Sequence, residues 1–339
     1  MKDSSIVKLL SRLCEENGIS GDESSVAELS VDYLKKYCSD VKIQNGNVIG
    51  VIDCPDEHAP HVMLDAHLDQ IGLIVTGITD DGFVTVGNVG GIDRRWLPAQ
   101  KVLLHGKQSI PGIISTLPPH LNDGKEAVQK IDQIRIDTGY SADELRNILS
   151  PGDSVTFTGI TCELAGERFT SPSLDDRAGI ASIIYALSLI QNEKLPCKVS
   201  ILFSNREEVN GCGAKTGCFR INPDIAIAVD VSFAGDGSKN TGEPGKGAMI
   251  GFSPSLSKEL SLKLVHIAGE SDIPYQFEVM NGRTGTNADD FSVCREGVKS
   301  AVVSIPLFYM HTPVEVISLK DIRYTGKLLA EFLRRCSSC

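Results

Sequence analysis

The sequence predicts an α/β protein: a mixed sheet covered by helices on both faces, interrupted by an inserted small β-barrel or sandwich. Three observations carry this. Near-continuous apolar strands alternate with helices at both ends of the chain, the pattern of a sheet buried on both sides. Between about residues 70 and 166 the texture changes to short strands separated by Gly, Pro and Asp turns. The length of 339 residues has room for two such units at ~150 residues each.

The elements follow in order. Residues 5–16 carry Ile6, Leu9, Leu10 and Leu13 at helical spacing, with Gly18 beyond the end. Residues 23–37 form a second amphipathic helix through Val26, Leu29, Tyr33 and Leu34. Asn45-Gly46 marks a hairpin between two short strands within 41–53. An apolar strand, 61–65, then runs into His67-Leu68-Asp69. In the insert, strands are expected at 72–79, 83–87, 101–105, 109–115, 133–137 and 154–158, with one helix at 142–149. Afterwards come a helix at 176–192, strands at 198–204 and 225–232, and a helix at 257–268. A strand at 276–280, a helix at 288–295, a strand at 299–305 and a helix at 319–335 complete the chain. The expected division is residues 1–68 plus 165–339 for the α/β unit and 69–164 for the insert.

Composition excludes some partners. Lys plus Arg number 33 against 44 Asp plus Glu, a net charge of −11. This disfavours nucleic acid or an anionic membrane as a charge-driven partner. The longest apolar stretch, 178–190, falls short of the ~20 residues a bilayer requires. The first twenty residues lack the unbroken apolar run of a signal peptide. Ten irregularly spaced cysteines read as free thiols of a reducing, cytoplasmic protein. Cys336 and Cys339 form a terminal CxxC, read as part of an exposed tail rather than a metal or redox site.

Candidate chemistry collects at strand ends, where open α/β sheets bind ligands. His67 and Asp69 end the 61–65 strand as an HxD, which is either a metal-binding imidazole with an orienting carboxylate or a surface charge pair. Asp175 and Asp176 open a helix, as ligands or as caps. Glu207 and Glu208 follow the 198–204 strand, at a site or in a solvated loop. Asp230 is embedded in the apolar run 225–231; a buried carboxylate requires a partner, either a metal or an arginine. His311 follows the 299–305 strand, and a lone His is more often structural. Taken together, imidazoles with hard carboxylates suit a two-metal hydrolase in which one carboxylate bridges ions ~3.5–4 Å apart.

At these residues the chain resembles the M42 family of metallo-aminopeptidases, which includes the TET peptidases. The matching segments run almost end to end: 18–23 (GISGDE), 65–72 (DAHLDQIG), 90–93, 118–120, 136–139, 174–179 (LDDRAG), 207–209, 229–231 and 310–315 (MHTPVE). The resemblance implies a zinc-peptidase-like fold and two divalent ions per subunit, Zn²⁺ or Co²⁺, with Mn²⁺ also compatible. It implies that His67 and Asp230 bind one metal, Glu208 and His311 the other, and Asp175 bridges them. Glu207 is then the general base for a metal-bridged hydroxide, and Asp69 orients His67. The implied activity is removal of N-terminal residues from short peptides. The insert would mediate dimerisation, and dimers would assemble to a dodecamer.

Several positions depart from the family pattern. Gln70 stands where Glu is usual, Asn287 where Asp is usual, and Phe308 where Arg often precedes the Tyr-x-His run. Cys212 lies near the site and reads as a packed thiol more than as a metal modulator. His120 is a candidate to reach a partner's active site across a dimer, against a purely structural role. Three other functions compete: a glycoside hydrolase using paired carboxylates, a non-catalytic shell-forming scaffold, and a deacylase working with the same site. A single Trp and 6% aromatics are poor material for sugar platforms, and a glycosidase has no use for the histidines.

Overall fold

The structure is a computed structural model, and it describes residues 3–116, 128–235 and 241–336. The elements in chain order begin with helices α1 (Asp3–Glu15) and α2 (Ser24–Leu34). Strands β1 (Asp40–Gln44), β2 (Asn47–Ile52) and β3 (His61–His67) follow. The insert holds β4 (Gly72–Ile78), β5 (Val84–Val89), β6 (Lys101–His105), β7 (Ser109–Ile114), β8 (Arg135–Asp137), α3 (Ala142–Ile148) and β9 (Ser154–Phe157). Then come β10 (Cys162–Leu164), β11 (Arg168–Ser171), α4 (Leu174–Leu189), β12 (Lys198–Ser204), α5 (Glu207–Asn210), α6 (Cys212–Ile221) and β13 (Ile225–Phe233). The chain continues through β14 (Ala248–Phe252), α7 (Lys258–Glu270), β15 (Tyr275–Val279), α8 (Ala288–Ser292), β16 (Lys299–Phe308), β17 (Glu315–Ser318) and α9 (Leu319–Arg334).

Eleven strands form one mixed sheet, in the order β1-β2-β12-β3-β13-β16-β17-β11-β10, with β14 and β15 attached beside β16. Strands β4 to β9 close into a six-stranded barrel. The α/β class with an inserted barrel is therefore observed as the sequence predicts. Strand β10 pairs with β11 in the large sheet, not in the barrel.

The apolar pattern explains the layers. Beyond Asp175, Asp176 and Arg177 in its first turn, helix α4 is apolar on nearly every side and almost wholly buried, as a helix covered all round requires; it packs against α1, α9, β3 and β13. One sheet face buries Leu64, Ile180, Ile201 and Leu329 in the main core. The opposite face buries Met63, Leu202, Ala228 and Phe291 under α6 and α8. The barrel has its own core around Val86, Leu104 and Val155. Strands β14, β17, β10 and β11 and helix α6 carry weaker apolar patterns and are absent from the sequence-based reading. Among the described residues no helix is long and apolar enough to cross a membrane.

The terminal thiol differs from expectation. Cys336 is fully buried in the main core, which also holds Cys197, because α9 keeps its apolar face on the sheet to its last turn. Nine free cysteines occur among the described residues. Cys339 and His120 lie outside the described residues.

Candidate metal centre

Strands β3, β12, β13 and β16 run parallel. Their carboxyl ends therefore open on one side of the sheet, and the candidate residues sit there. His67 ends β3, Glu207 and Glu208 follow β12, Asp230 lies near the end of β13, and His311 follows β16. Asp175 comes to the same place at the start of α4.

The geometry is organised by Asp175. Its Oδ1 lies 2.9 Å from His67 Nε2 and its Oδ2 lies 3.3 Å from His311 Nε2. His311 Nε2 is also 3.4 Å from Glu208 Oε1, and His67 Nε2 is 3.9 Å from Asp230 Oδ1. Two clusters of ligand atoms result, His67–Asp175–Asp230 and Asp175–Glu208–His311, each with its atoms within 4.8 Å of one another. They share Asp175. Cys212 is in neither.

The histidine tautomers follow from their other nitrogens. His67 Nδ1 meets the Asp69 carbonyl oxygen at 2.9 Å, and His311 Nδ1 meets the Gly91 carbonyl oxygen at 2.9 Å. A carbonyl only accepts, so each Nδ1 donates; each Nε2 faces carboxylates, donating to them while protonated and open to a metal ion once that proton has gone. Asp69 thus reaches His67 through its backbone oxygen; its carboxylate Oδ1 is 3.6 Å away, too far for a hydrogen bond. That carboxylate instead accepts from the Glu207 N–H at 2.9 Å, the Glu208 N–H at 3.0 Å and the Ser20 hydroxyl at 2.6 Å.

Charge in the site is unbalanced. Burial pushes Glu207 up to about 8, with Glu208 and Asp175 adding repulsion and His67 opposing it. Burial lifts Asp230 and Glu208 above the usual carboxylate range as well. Asp175 is held below that range, because hydrogen bonds from His311 and His67 outweigh its burial. His67 is buried yet kept well above its ordinary value by Asp175 and Asp69. Crowded buried acids draw positive charge into the site, as protons on the imidazoles or as a bound ion, and oxygen and nitrogen donors of this kind fit divalent ions.

Two further buried acids support the site. Glu315 is buried and accepts from the Asp175 N–H at 3.1 Å and the His311 N–H at 2.9 Å, so one carboxylate ties both loops. Its signal was its place in the 310–315 segment. Asp176 turns away from the clusters to accept from the His67 and Gly179 N–H groups at 3.2 and 2.9 Å. The departures find local partners. Gln70 Oε1 accepts from buried Arg177 at 3.2 Å. Asn287 donates to Asp65 at 2.9 Å and to Ser204 at 2.9 Å. Phe308 lies under the Arg168 guanidinium.

The clusters line a cavity of about 480 Å³. A larger depression of about 770 Å³, lined by His58, Asp224, Arg295 and Lys299, lies at the opposite strand ends; it holds neither cluster.

A parallel-centred sheet with buried His and carboxylate clusters at its carboxyl edge is the architecture of a metal-dependent hydrolase. Comparison with known proteins narrows this. A family model described as M42 glutamyl aminopeptidase matches residues 46–328, and the chain belongs to that family. It is 35% identical over 337 residues to the lysyl aminopeptidase of Pyrococcus furiosus, covering 96% of each chain. Among solved structures, an aminopeptidase from the archaeon Desulfurococcus kamchatkensis superposes with a TM-score of 0.92 at 31% identity, covering 98% of this chain and 95% of that one. The TET1 peptidase of Pyrococcus horikoshii, which can assemble into a tetrahedron or a large octahedral shell, gives 0.88 at 30% identity, with 97% and 99% covered. The protein is a peptidase of the aminopeptidase class, and its family implies divalent metal.

Proposed function

We propose that this chain removes single residues from the free N-termini of short peptides, using two divalent ions, Zn²⁺ or Co²⁺, with Mn²⁺ also compatible. The observation that carries the reading is Asp175, whose two oxygens each face one imidazole and so join two three-residue clusters. His67 and Asp230 would hold one ion, Glu208 and His311 the other, and Asp175 both. Bound there, the ions supply Lewis-acid polarisation of the scissile carbonyl and acidification of a water.

The remaining work falls to the chain. Glu207 lines the cavity beside both clusters and acts as general base: its carboxylate takes a proton from the attacking water and passes it to the leaving amine. Asp69 fixes Glu207 and Glu208 by accepting both their N–H groups. Glu315 holds the Asp175 and His311 backbones in register.

The same reading takes residues 69–164 as the unit through which copies of the chain associate. An apolar groove of about 710 Å³ on the barrel, with Ile113 53% exposed, supports that role. A solved TET1 relative with a dodecamer in its asymmetric unit supports a homo-oligomer, with dimers assembling to a dodecamer. Free thiols support work in the reducing cytoplasm.

The test uses aminoacyl 4-nitroanilides and short peptides, free and N-acetylated, with and without EDTA. Free N-termini should be trimmed, acetylated ones spared, and EDTA should abolish turnover until metal is restored. Glu207→Gln should lower kcat by roughly 1,000-fold while bound metal per chain stays unchanged. Activity that survives EDTA, or a fully active Glu207→Gln, would overturn the reading.

A further inference from the structure

One buried acid in the cavity has no part in the chemistry above. Glu278 lines the same cavity as Asp230, Glu207 and His311. It is the one buried residue of β15, between exposed Phe277 and Val279. Its two carboxylate oxygens accept from two neutral hydroxyls, Ser232 and, at 2.6 Å, Ser304. No cation among the described residues pairs with it, and burial raises its carboxyl above the ordinary value. A carboxylate buried without a cation is costly, and here its open side is the substrate cavity.

Register and the Ser232 contact place it near the clusters. Gly251 of β14 lies beside Glu278, Met249 beside Ser304, and Ser304 beside Asp230. Ser232 is two residues along β13 from Asp230, ~7 Å at the usual strand rise. A lysine stem of four carbons spans such a distance. Phe233 and Met310 line the same cavity and offer apolar surface to the methylenes, while the charged head goes on to the acid.

We propose that Glu278 is the specificity-determining residue of this site, selecting substrates whose N-terminal side chain is a cation, lysine or arginine. The proposal rests on the aminopeptidase reading of the preceding section. The acid disfavours acidic N-terminal residues by repulsion and leaves uncharged ones to be held by apolar contact alone.

The experiment compares kcat/KM for lysyl, arginyl, norleucyl and glutamyl 4-nitroanilides. Norleucine matches the lysine stem without its charge. The native enzyme should prefer lysyl over norleucyl by roughly 100-fold, with glutamyl slowest, and free lysine should inhibit far better than free norleucine. Glu278→Gln should lose that preference through the lysyl substrate while norleucyl turnover stays within about threefold. Glu278→Arg should move the preference toward glutamyl. A native enzyme that favours norleucyl or glutamyl overturns the assignment without any variant. So does a Glu278→Gln enzyme that loses lysyl and norleucyl turnover equally. If none of the four substrates is hydrolysed, the aminopeptidase reading itself falls, and Glu278 with it.

Discussion

The two ligand clusters share Asp175 but are built differently. The His67 cluster comes from regular strands: His67 and Asp230 are ordinary members of β3 and β13, and the His67 side chain is 2% exposed. The His311 cluster comes from turns. Arg206, just before Glu207 and Glu208, has φ 57°, and His311 itself has φ 60°. Such left-handed non-glycine residues cost on the order of 1–3 kcal/mol each and persist where the surroundings hold them. The His311 side chain is 32% exposed, and its Nδ1 partner is Gly91, in the segment that follows barrel strand β5. One cluster is thus part of the sheet, and the other is assembled by loops and a barrel segment against it. Rigid core elements exclude solvent and resist opening; turn-borne groups open more readily.

That contrast can be broken at its shared member. Asp175→Ala removes a ligand from both clusters, and turnover should become unmeasurable with less than one ion bound per chain by elemental analysis. Retention of a full complement would show that the clusters do not depend on Asp175. A gentler test separates them. Under limiting chelator, metal should leave in two phases, with His311→Ala abolishing the fast phase and sparing the slow one. Loss in a single phase, or a His311→Ala chain whose remaining metal leaves fast, would erase the distinction.

Smaller effects probe the supports. A Cβ on Gly91 would stand 3.0 Å from His311 Nδ1, so Gly91→Ala should displace that ring and cost about 10-fold in activity, with the His67 cluster still loaded. Full activity would mean the barrel segment does not hold His311. The smallest effect lies at the opposite end of β3. Burial and nearby Lys198 lower His61 to about 4, against a weaker pull from Asp224, and its Nε2 meets Ser200 Oγ at 2.8 Å. A depressed folded-state histidine favours the neutral form. Its stabilisation is therefore complete above ~pH 6.5 and is lost as pH falls toward 4. Allowing for partial exposure, roughly 1 kcal/mol should go between pH 7 and pH 5. Thermal melts of the native chain and His61→Gln check this: the variant should show the shallower acid slope, and equal slopes would remove His61 as the cause.

The regular cluster was also the legible one. Asp230 stood out because a carboxylate in an apolar strand needs a partner, and His67 because HxD ended a strand. The Gly91 contact was invisible, since its segment and His311 lie 220 residues apart and a backbone carbonyl leaves no mark in residue identity. Glu315 was visible only as part of a motif, because its work is to accept backbone N–H groups. Asp69 was read as orienting His67 by its carboxylate; the tight turn after β3 gives that task to its carbonyl and frees the carboxylate for Glu207 and Glu208. Cys336 was placed on an exposed tail because a terminal CxxC says nothing of what covers it.

Residue pattern alone determined the alternation of apolar strands and helices, the break to an insert of short strands that could be barrel or sandwich, and the inventory of acids and imidazoles at strand ends. These depend on local periodicity and on the cost of burying charge, which act over a few residues. Tertiary structure decided which carboxylate faces both imidazoles, which nitrogen of each ring faces the site, and that Glu278 enters the cavity with hydroxyl partners but no cation. Those depend on parallel register and on turns that bring distant segments within a few ångströms, and nothing in a short stretch of sequence encodes them.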